Sequence, residues 1–334
     1  MSREDEIVES LKAGGFLQPG VKPRLESLTG GVSSDVFRLE TPNGVYCVKR
    51  ALATLRVAAD WRAPVERSHY EVEWLRVART LVGDRVPRVI FEDRARNAFV
   101  MEFYDPRTHS VWKQDLAGGH VDIEVARQVG ALIGKVHAGT AGDLDVARRF
   151  PTGDLFEDLR LAPYLRHAAQ AHPDLAPKLL ALADRTAATA LALVHGDVSP
   201  KNILCGPGGP ILLDAECAWY GDPAFDLAFC STHLLLKTVW RPTHAAAFLA
   251  AASALHDAYL AALDWEPAAQ LEARAAALTG GLLLARVDGK SPVEYLVSDG
   301  DRAFVRNAAR RLIESPASTM AELTIRWREL QEAR

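Results

Sequence analysis

The stretch Val194-His-Gly-Asp-Val-Ser-Pro-Lys-Asn-Ile-Leu204, followed by Ile211-Leu-Leu-Asp-Ala-Glu216, decides the fold of this chain. In the first segment, Asn202 comes five residues after Asp197. The composition of Cys205-Gly-Pro-Gly-Gly-Pro210 is typical of a turn, so a short strand should lie on each side of it. Three carboxylates and one amide can therefore converge on one spot.

These polar residues suit phosphoryl transfer. An acceptor hydroxyl needs a carboxylate to orient it, and phosphates need divalent cations such as Mg²⁺, which prefers oxygen ligands. Protein kinases carry the loop H-R-D-x-x-x-x-N, with a metal-binding aspartate on the next hairpin. His195-Gly196-Asp197 and Asn202 keep that Asp-to-Asn spacing, and Asp214 takes the place of the later aspartate. The alternative is a chance hairpin, which would require spacing, order and flanking strands to coincide.

Gly196 in place of arginine, and Asp214-Ala-Glu216 in place of Asp-Phe-Gly, resemble the aminoglycoside phosphotransferase and choline kinase superfamily of small-molecule kinases. The Asp-x-Glu form is similar to that of methylthioribose kinases. The resemblance implies an α+β, protein-kinase-like fold of two lobes with ATP between them. The N-lobe, residues 1–104, would be a small antiparallel sheet with one helix, and the C-lobe, residues 105–334, would be larger and mainly helical.

The resemblance also implies a role for each residue of the stretch. Asp197 would be the catalytic residue that orients the acceptor hydroxyl or accepts its proton. Asn202 and Asp214 would ligate Mg²⁺, and Glu216 would ligate or brace the metal. Asp226 would brace the catalytic loop, whereas His137, at a helix end, is expected to pack or cap.

Nucleotide-binding groups are expected in the first hundred residues. A turn with Gly30 and Gly31, and with Ser33 and Ser34, could lay its backbone over phosphates, although a plain hairpin is the commoner explanation. Lys49 lies late on the third predicted strand, where kinases place the lysine that holds the α/β-phosphates.

Two further nucleotide contacts follow from the resemblance. A helix predicted over residues 64–81 carries Glu71, the expected partner of the strand lysine, with Glu66 and Glu73 as rivals. A strand beginning at Ala98 would run into a hinge at Glu102, Phe103 and Tyr104, whose backbone would bind adenine.

The acceptor is the least defined part of the prediction. From residue 141 onward there are 24 acidic and 19 basic residues, too mild an excess to indicate a pocket for a polycation. Cationic and hydrogen-bonding groups near helix ends would suit a polyol, a sugar or an anionic metabolite, although they can equally be surface charges: His233, Lys237, Arg286 and Lys290.

Composition excludes several other classes. The chain has 334 residues, a net charge of −4 and no basic block, so we expect no nucleic-acid partner. The apolar stretches are interrupted by charges, so we expect no membrane span. Four cysteines without a C-x-x-C pair indicate neither structural zinc nor a disulfide scaffold, and an acidic N-terminus is not a signal peptide. We therefore expect a cytoplasmic protein.

Three functional hypotheses remain open. The first is an ATP- and Mg²⁺-dependent kinase that phosphorylates a hydroxyl of a sugar-like or amino-alcohol metabolite. The second is an aminoglycoside-type antibiotic phosphotransferase with another acceptor pocket. The third is a non-catalytic nucleotide-binding homologue, against which the complete set of Lys49, Asp197, Asn202 and Asp214 argues. The acceptor, the choice between ATP and GTP, and the oligomeric state stay open.

Overall fold

The computed structural model describes residues 3–28, 33–54 and 63–334. The chain divides into two compact units, Met1–Thr108 and His109–Arg334. The expected boundary after residue 104, and the roles assigned to the two lobes, stay predictions.

The first unit contains an antiparallel sheet in the order β1-β2-β3-β5-β4. A turn at residues 41–44 joins β2 to β3, and the Thr41 hydroxyl accepts a hydrogen bond from the Asn43 N–H at 3.1 Å. This register puts Lys49 on β3 opposite Val36 and Phe99. The strands are β1 (Arg24–Ser27), β2 (Ser34–Thr41), β3 (Gly44–Ala51), β4 (Val89–Asp93) and β5 (Ala98–Glu102).

Two helices belong to this unit: α1 (Arg3–Ala13) and α2 (Arg67–Val82). On α1, Ile7 and Leu11 pack into a core with apolar side chains of the sheet. The buried face of α2 includes Val72 and Leu75, and it also carries Glu71, which is only 1% exposed. A carboxylate this deep needs a cationic partner, because unpaired charge is expensive to bury.

The second unit is mainly helical, with two small sheets. In one sheet β6 pairs with β8 and β8 with β9; in the other, β7 pairs with β10. The strands are β6 (Ser110–Val111), β7 (Ala192–Val194), β8 (Ile203–Gly206), β9 (Gly209–Leu212) and β10 (Trp219–Gly221). The helices are α3 (Trp112–Ala117), α4 (Ile123–Ala138), α5 (Leu144–Arg149), α6 (Gly153–Phe156), α7 (His167–Ala171), α8 (Ala176–Ala188), α9 (Ala224–Trp240), α10 (Ala245–Leu260), α11 (Ala268–Asp288), α12 (Asp299–Glu314) and α13 (Met320–Glu332).

Helix α9 forms the centre of this unit. Its residues from Ala224 to Val239 are all buried, and it packs against α10 and α11. A helix that is buried all round must satisfy its own polar side chains, and hydroxyls such as Thr232 do so by donating to the carbonyl four residues earlier. The few charged side chains of α9 therefore require a specific explanation.

A π-helical segment, Glu157–Arg166, lies between α6 and α7. Pro163 lies inside it and has no N–H to offer the Leu159 carbonyl, as an α-helix would require. That carbonyl accepts a hydrogen bond from Arg160 Nη1 at 2.7 Å. π-Segments concentrate at functional sites, and this one contains Arg160.

The described part of the chain contains no helix with the length and apolar character needed to cross a membrane. All four cysteines lie in the described ranges and are free thiols, three of them buried.

Candidate active site

The loop after β7 has a backbone that only glycine fits well. Gly196 takes φ 77°, and the carbonyl oxygen of Cys217 lies 2.5 Å from where its Cβ would be. A side chain here would be strained and would also clash with that carbonyl. The absence of the protein-kinase arginine from this position therefore has a steric reason.

Asp197 is a buried carboxylate held by two cations. It is 2% exposed, and its Oδ2 lies 3.0 Å from both Arg160 Nη2 and Lys201 Nζ. Burial alone would raise the pKa of Asp197, but Lys201 and Arg160 outweigh it and lower the pKa. The carboxylate is therefore ionised, as a group that orients a hydroxyl should be.

Arg160 fixes the loop as well as the carboxylate. It is 7% exposed, and its Nε donates to the Gly196 carbonyl at 2.5 Å. Its guanidinium also lies over the rings of Tyr164 and Phe229, at 6.0 and 5.7 Å from their centroids. These contacts leave Arg160 one orientation in which to meet Asp197.

His195 supports the loop as a neutral imidazole. Its Nε2 lies 3.0 Å from the Leu213 carbonyl, to which it donates, and its Nδ1 accepts from the Asp197 N–H at 3.2 Å. Burial lowers the pKa of His195, against the attraction of Asp226, Asp197 and Asp214. The ring thus ties the catalytic loop to the strand end that precedes Asp214.

Asp226, at the start of α9, braces the loop from the other side. Its two carboxylate oxygens accept from the backbone N–H groups of His195 and Gly196 at 2.7 and 2.8 Å. His137 Nε2 lies 3.2 Å from the same carboxylate, and its Nδ1 lies 2.8 Å from the Tyr259 hydroxyl. His137 therefore belongs to a buried support network.

The predicted hairpin forms as β8 and β9, and it carries the proposed metal ligands. Asn202 Nδ2 donates to the Asp197 carbonyl at 3.0 Å, which orients the side-chain amide. Asp214 follows β9 with φ 67°, a left-handed conformation that is unusual for a residue other than glycine and that often marks a functional site. Glu216 is 8% exposed, two residues further on.

This donor set fits Mg²⁺. An amide oxygen and two carboxylates are hard oxygen ligands, and Mg²⁺ commonly takes one or two carboxylates from the protein and the rest from phosphates and water. Across the described ranges no group of three or more His, Cys, Asp or Glu side chains is placed to hold a metal by itself. Metal binding by Asn202, Asp214 and Glu216 stays a prediction.

In the first unit, Lys49 forms a buried ion pair with Glu71. Lys49 Nζ lies 2.8 and 2.7 Å from the two carboxylate oxygens, and the two residues are 5% and 1% exposed. Of the three glutamates considered, Glu71 is thus a partner of Lys49. Whether the pair contacts a nucleotide stays a prediction.

The other predicted nucleotide contacts are less defined by the structure. Gly30 and Gly31 lie outside the described residues, whereas Ser33 and Ser34 are buried at the start of β2. In the predicted hinge, the Glu102 carboxylate accepts from the Arg88 N–H at 2.9 Å, and the Tyr104 hydroxyl lies 3.4 Å from it. Phe103 packs its ring 5.6 Å from the Arg38 guanidinium. Adenine binding here stays a prediction.

The four residues predicted to contact the acceptor differ in how deeply they are buried. His233, Lys237 and Arg286 are buried, with 8%, 1% and 9% exposure, and so they are not surface charges. Lys290 is exposed in the turn after α11, where its backbone N–H donates to the Pro163 carbonyl. Their contact with an acceptor stays a prediction.

Sequence reasoning missed both cations that hold Asp197. Lys201 carried a usable signal, because it lies four residues after Asp197 in the same motif. Arg160 carried none, since it is one arginine of a helical stretch 37 residues upstream of its partner. In the sequence, that helical stretch is distinguished only by its internal proline, Pro163.

A model of the phosphotransferase enzyme family matches residues 24–271, and the chain belongs to this family. The match covers the first unit's sheet, the catalytic loop and the helices up to α11. It confirms the family resemblance inferred from the motif.

Individual members of the family are only distantly similar to this chain in sequence. Methylthioribose kinase from Pectobacterium carotovorum subsp. carotovorum is 26% identical over 261 residues, which cover 70% of this chain and 65% of the relative's length. The chain thus matches just under two thirds of that enzyme.

Solved structures establish the fold. The amicoumacin kinase structure, a complex with AMP-PNP, Ca²⁺ and Ami, superimposes with a TM-score of 0.55 at 17% identity, covering 95% of each chain. A choline/ethanolamine kinase family protein from Mesorhizobium loti gives 0.52 at 17% identity, covering 98% of this chain and 99% of its own. The kinase-like fold class, with a small antiparallel sheet and a larger helical part, is confirmed.

Proposed function

We propose that this protein is an ATP-dependent kinase that phosphorylates a hydroxyl group of a small, sugar-like or amino-alcohol metabolite. The observation that carries the proposal is the fixed Asp197 carboxylate, held by Arg160 and Lys201 in the loop that also orients Asn202. Family membership and the kinase-like fold support the same class of reaction.

In this proposal Asp197 receives the acceptor. Its ionised carboxylate accepts a hydrogen bond from the attacking hydroxyl and takes its proton late, because the loose transition state demands little from a base early on. Its pKa is already lowered, so it stays a hydrogen-bond acceptor at neutral pH. The two cations orient the carboxylate and reduce its motion. Correct positioning of a catalytic group increases the reaction rate.

Asn202, Asp214 and Glu216 would hold Mg²⁺, which when bound would neutralise charge on the transferring phosphoryl group. Lys49, paired with Glu71, would neutralise charge on the nucleotide phosphates. Ser33, Ser34 and the hinge residues are proposed nucleotide contacts on the grounds of resemblance alone. We place the enzyme in the reduced cytosol, which the free cysteines support.

The metabolite kinase is preferred to an aminoglycoside phosphotransferase because of the acceptor-side charges. Lys237 and Arg286 are buried cations, which would repel the ammonium groups of an aminoglycoside. The methylthioribose kinase relative is consistent with a sugar-like acceptor, although the match spans only 65% of its length.

The test is an ATP-consumption screen of the purified protein with pentose-like sugars, including methylthioribose, amino alcohols and kanamycin-type aminoglycosides at matched concentrations. The matched inactive variant is Asp197→Asn, which keeps the size of the side chain. We expect acceptor-dependent ADP release with at least one sugar or amino alcohol, lost in the variant. Turnover of aminoglycosides alone would contradict the acceptor class, and equal activity in Asp197→Asn would contradict the catalytic role of Asp197.

A further inference from the structure

One stripe of α9 leads away from Asp197. Phe229, His233 and Lys237 are spaced four residues apart, so they lie on one face of the helix. Phe229 contacts the Arg160 guanidinium that holds Asp197, and its ring lies 5.2 Å from that of His233. Lys237 therefore lies roughly 12 Å along the helix axis from the residue that touches Arg160. Long side chains on helices point toward the N-terminus, which brings a lysine side chain closer to the residues that precede it.

Lys237, the last residue of the stripe, lies close to two aromatic rings. Its Nζ lies 4.5 Å from the ring centroid of Tyr295 and 5.0 Å from that of Trp240. Within the described ranges no carboxylate lies at ion-pair distance from this ammonium group, although the residue is only 1% exposed. Two ring faces stabilise a cation less than a direct anionic partner would.

Arg286, on α11, adds a second cation. Its Nη1 donates to the Tyr164 hydroxyl at 3.3 Å and to the Ser291 carbonyl, which fixes the guanidinium. Its Nε, by contrast, has no hydrogen-bond partner among the described residues, and neither does the buried hydroxyl of Tyr295. Buried donors are normally satisfied, so the unpartnered hydroxyl of Tyr295, whose ring lies close to the Lys237 ammonium group, points to a ligand.

Several cations lie near the stripe. Burial, together with Arg286, Lys237, Lys201 and Lys113, lowers the pKa of His233 well below its usual value. Glu294, an acidic group that acts on Lys237, is exposed and pairs with Lys113 at 2.5 Å. That ion pair marks the edge where the cluster meets solvent.

We propose that Lys237 and Tyr295 form an oxyanion subsite, which binds a carboxylate or phosphate group carried by the acceptor while its hydroxyl lies at Asp197. The inference rests on the proposed kinase function and narrows its substrate class to hydroxyl compounds that also carry an acidic group. Neutral His233 lies between Phe229 and Lys237 on the same face of the helix.

The state of Lys237 agrees with this role. Burial, with Lys113 and Arg241, lowers the pKa of Lys237 to about 8, against the opposing effect of Glu294. The lysine is thus still protonated at neutral pH in a place that disfavours its charge. A bound oxyanion would remove that penalty, so the subsite is prepared for an anion.

The first experiment measures anion binding without turnover. The melting temperature of the full-length protein is recorded against sulfate, which represents a phosphate ester, and against acetate, which represents a carboxylate, at constant ionic strength with chloride. The variants are Lys237→Met, which keeps the apolar stem, and Tyr295→Phe, which removes only the unpartnered hydroxyl. The matched control is Lys135→Met, which removes an exposed lysine of α4 in the same unit.

We expect the melting temperature of the wild type and of Lys135→Met to rise to a plateau as the concentration of one of the two anions increases. Affinity should fall on the order of tenfold to a hundredfold in Lys237→Met and about threefold to tenfold in Tyr295→Phe. The anion that saturates identifies the acidic group. No saturable response in the wild type, or an equal response in Lys237→Met, would overturn the subsite.

The second experiment uses acceptors in matched pairs, such as gluconate with sorbitol and glucuronate with glucose. Lys237→Met should raise KM for the acidic member while changing kcat little, and should leave the neutral member unaffected. A wild type that turns over only the neutral members would also overturn the proposal. A protein without any turnover would contradict the kinase function, whereas the anion titration would still decide the subsite.

Discussion

The contact between Arg160 and Asp197 permits a quantitative test of the catalytic loop. Arg160→Met removes the buried guanidinium and leaves Asp197, 2% exposed, with Lys201 as its remaining cation. Breaking a buried pair from one side typically costs about 3–5 kcal/mol, because the other charge stays buried. We expect a loss of this size in the free energy of unfolding, measured by urea denaturation with circular dichroism.

Two further variants separate the ion pair from other contacts. Lys201→Met removes the other cation, whose side chain is 52% exposed, and should cost no more than about 1 kcal/mol. Adding Asp197→Asn to Arg160→Met removes the stranded charge, so the double variant should recover about 2 kcal/mol or more. Equal losses for the two cations, or strictly additive losses in the double variant, would refute the assignment of Arg160 as the principal partner of Asp197.

The remaining predictions concern turnover, metal and pH. Asp197→Ala should reduce phosphoryl transfer on the order of 10²–10⁴-fold and leave ATP affinity, measured by calorimetry, nearly intact; a variant with most of its turnover would exclude the role. Asp214→Asn should raise the Mg²⁺ concentration needed for half-maximal activity, because it removes an anionic oxygen ligand, whereas an unchanged Mg²⁺ titration would place the metal elsewhere. Lys237→Met should stabilise the protein by up to about 3 kcal/mol at pH 7, read as a melting temperature several degrees higher. The pKa of Lys237 is about 8 in the folded protein, against the ordinary value of 10.5. The free-energy cost of burying its charge therefore applies in full below pH 8 and disappears as the pH rises to 10.5. The gain should therefore vanish near pH 10.5, and a constant gain would contradict it.

Secondary structure was predicted well where it depends on a short stretch of sequence. Lys49 lies on the third strand as predicted, and the Gly-Pro-rich segment at 205–210 joins β8 to β9 as expected. The helix predicted over residues 64–81 is observed as Arg67–Val82. These features depend on turn chemistry and apolar periodicity, which a single sequence contains.

Contacts between distant segments could not be predicted in the same way. Arg160 lies in the π-segment around Pro163 and meets Asp197 from 37 residues upstream, and no periodicity in the sequence predicts such a contact. The burial of Lys237 was equally hidden, because a lysine near a helix end normally lies in solvent. Packing of α9 on all sides decided its position, and this packing depends on several other helices.

Asp226 has a consequence for the motions of the catalytic loop. Its carboxylate takes the amide hydrogens of both His195 and Gly196, and it is itself fully buried against His137. Deuterium can replace these two hydrogens only when the support network of α4 and α9 opens, which places them in the most slowly exchanging class of the second unit. The loop that carries Asp197 should therefore behave as part of the rigid scaffold, and any conformational change during a catalytic cycle must occur in other segments.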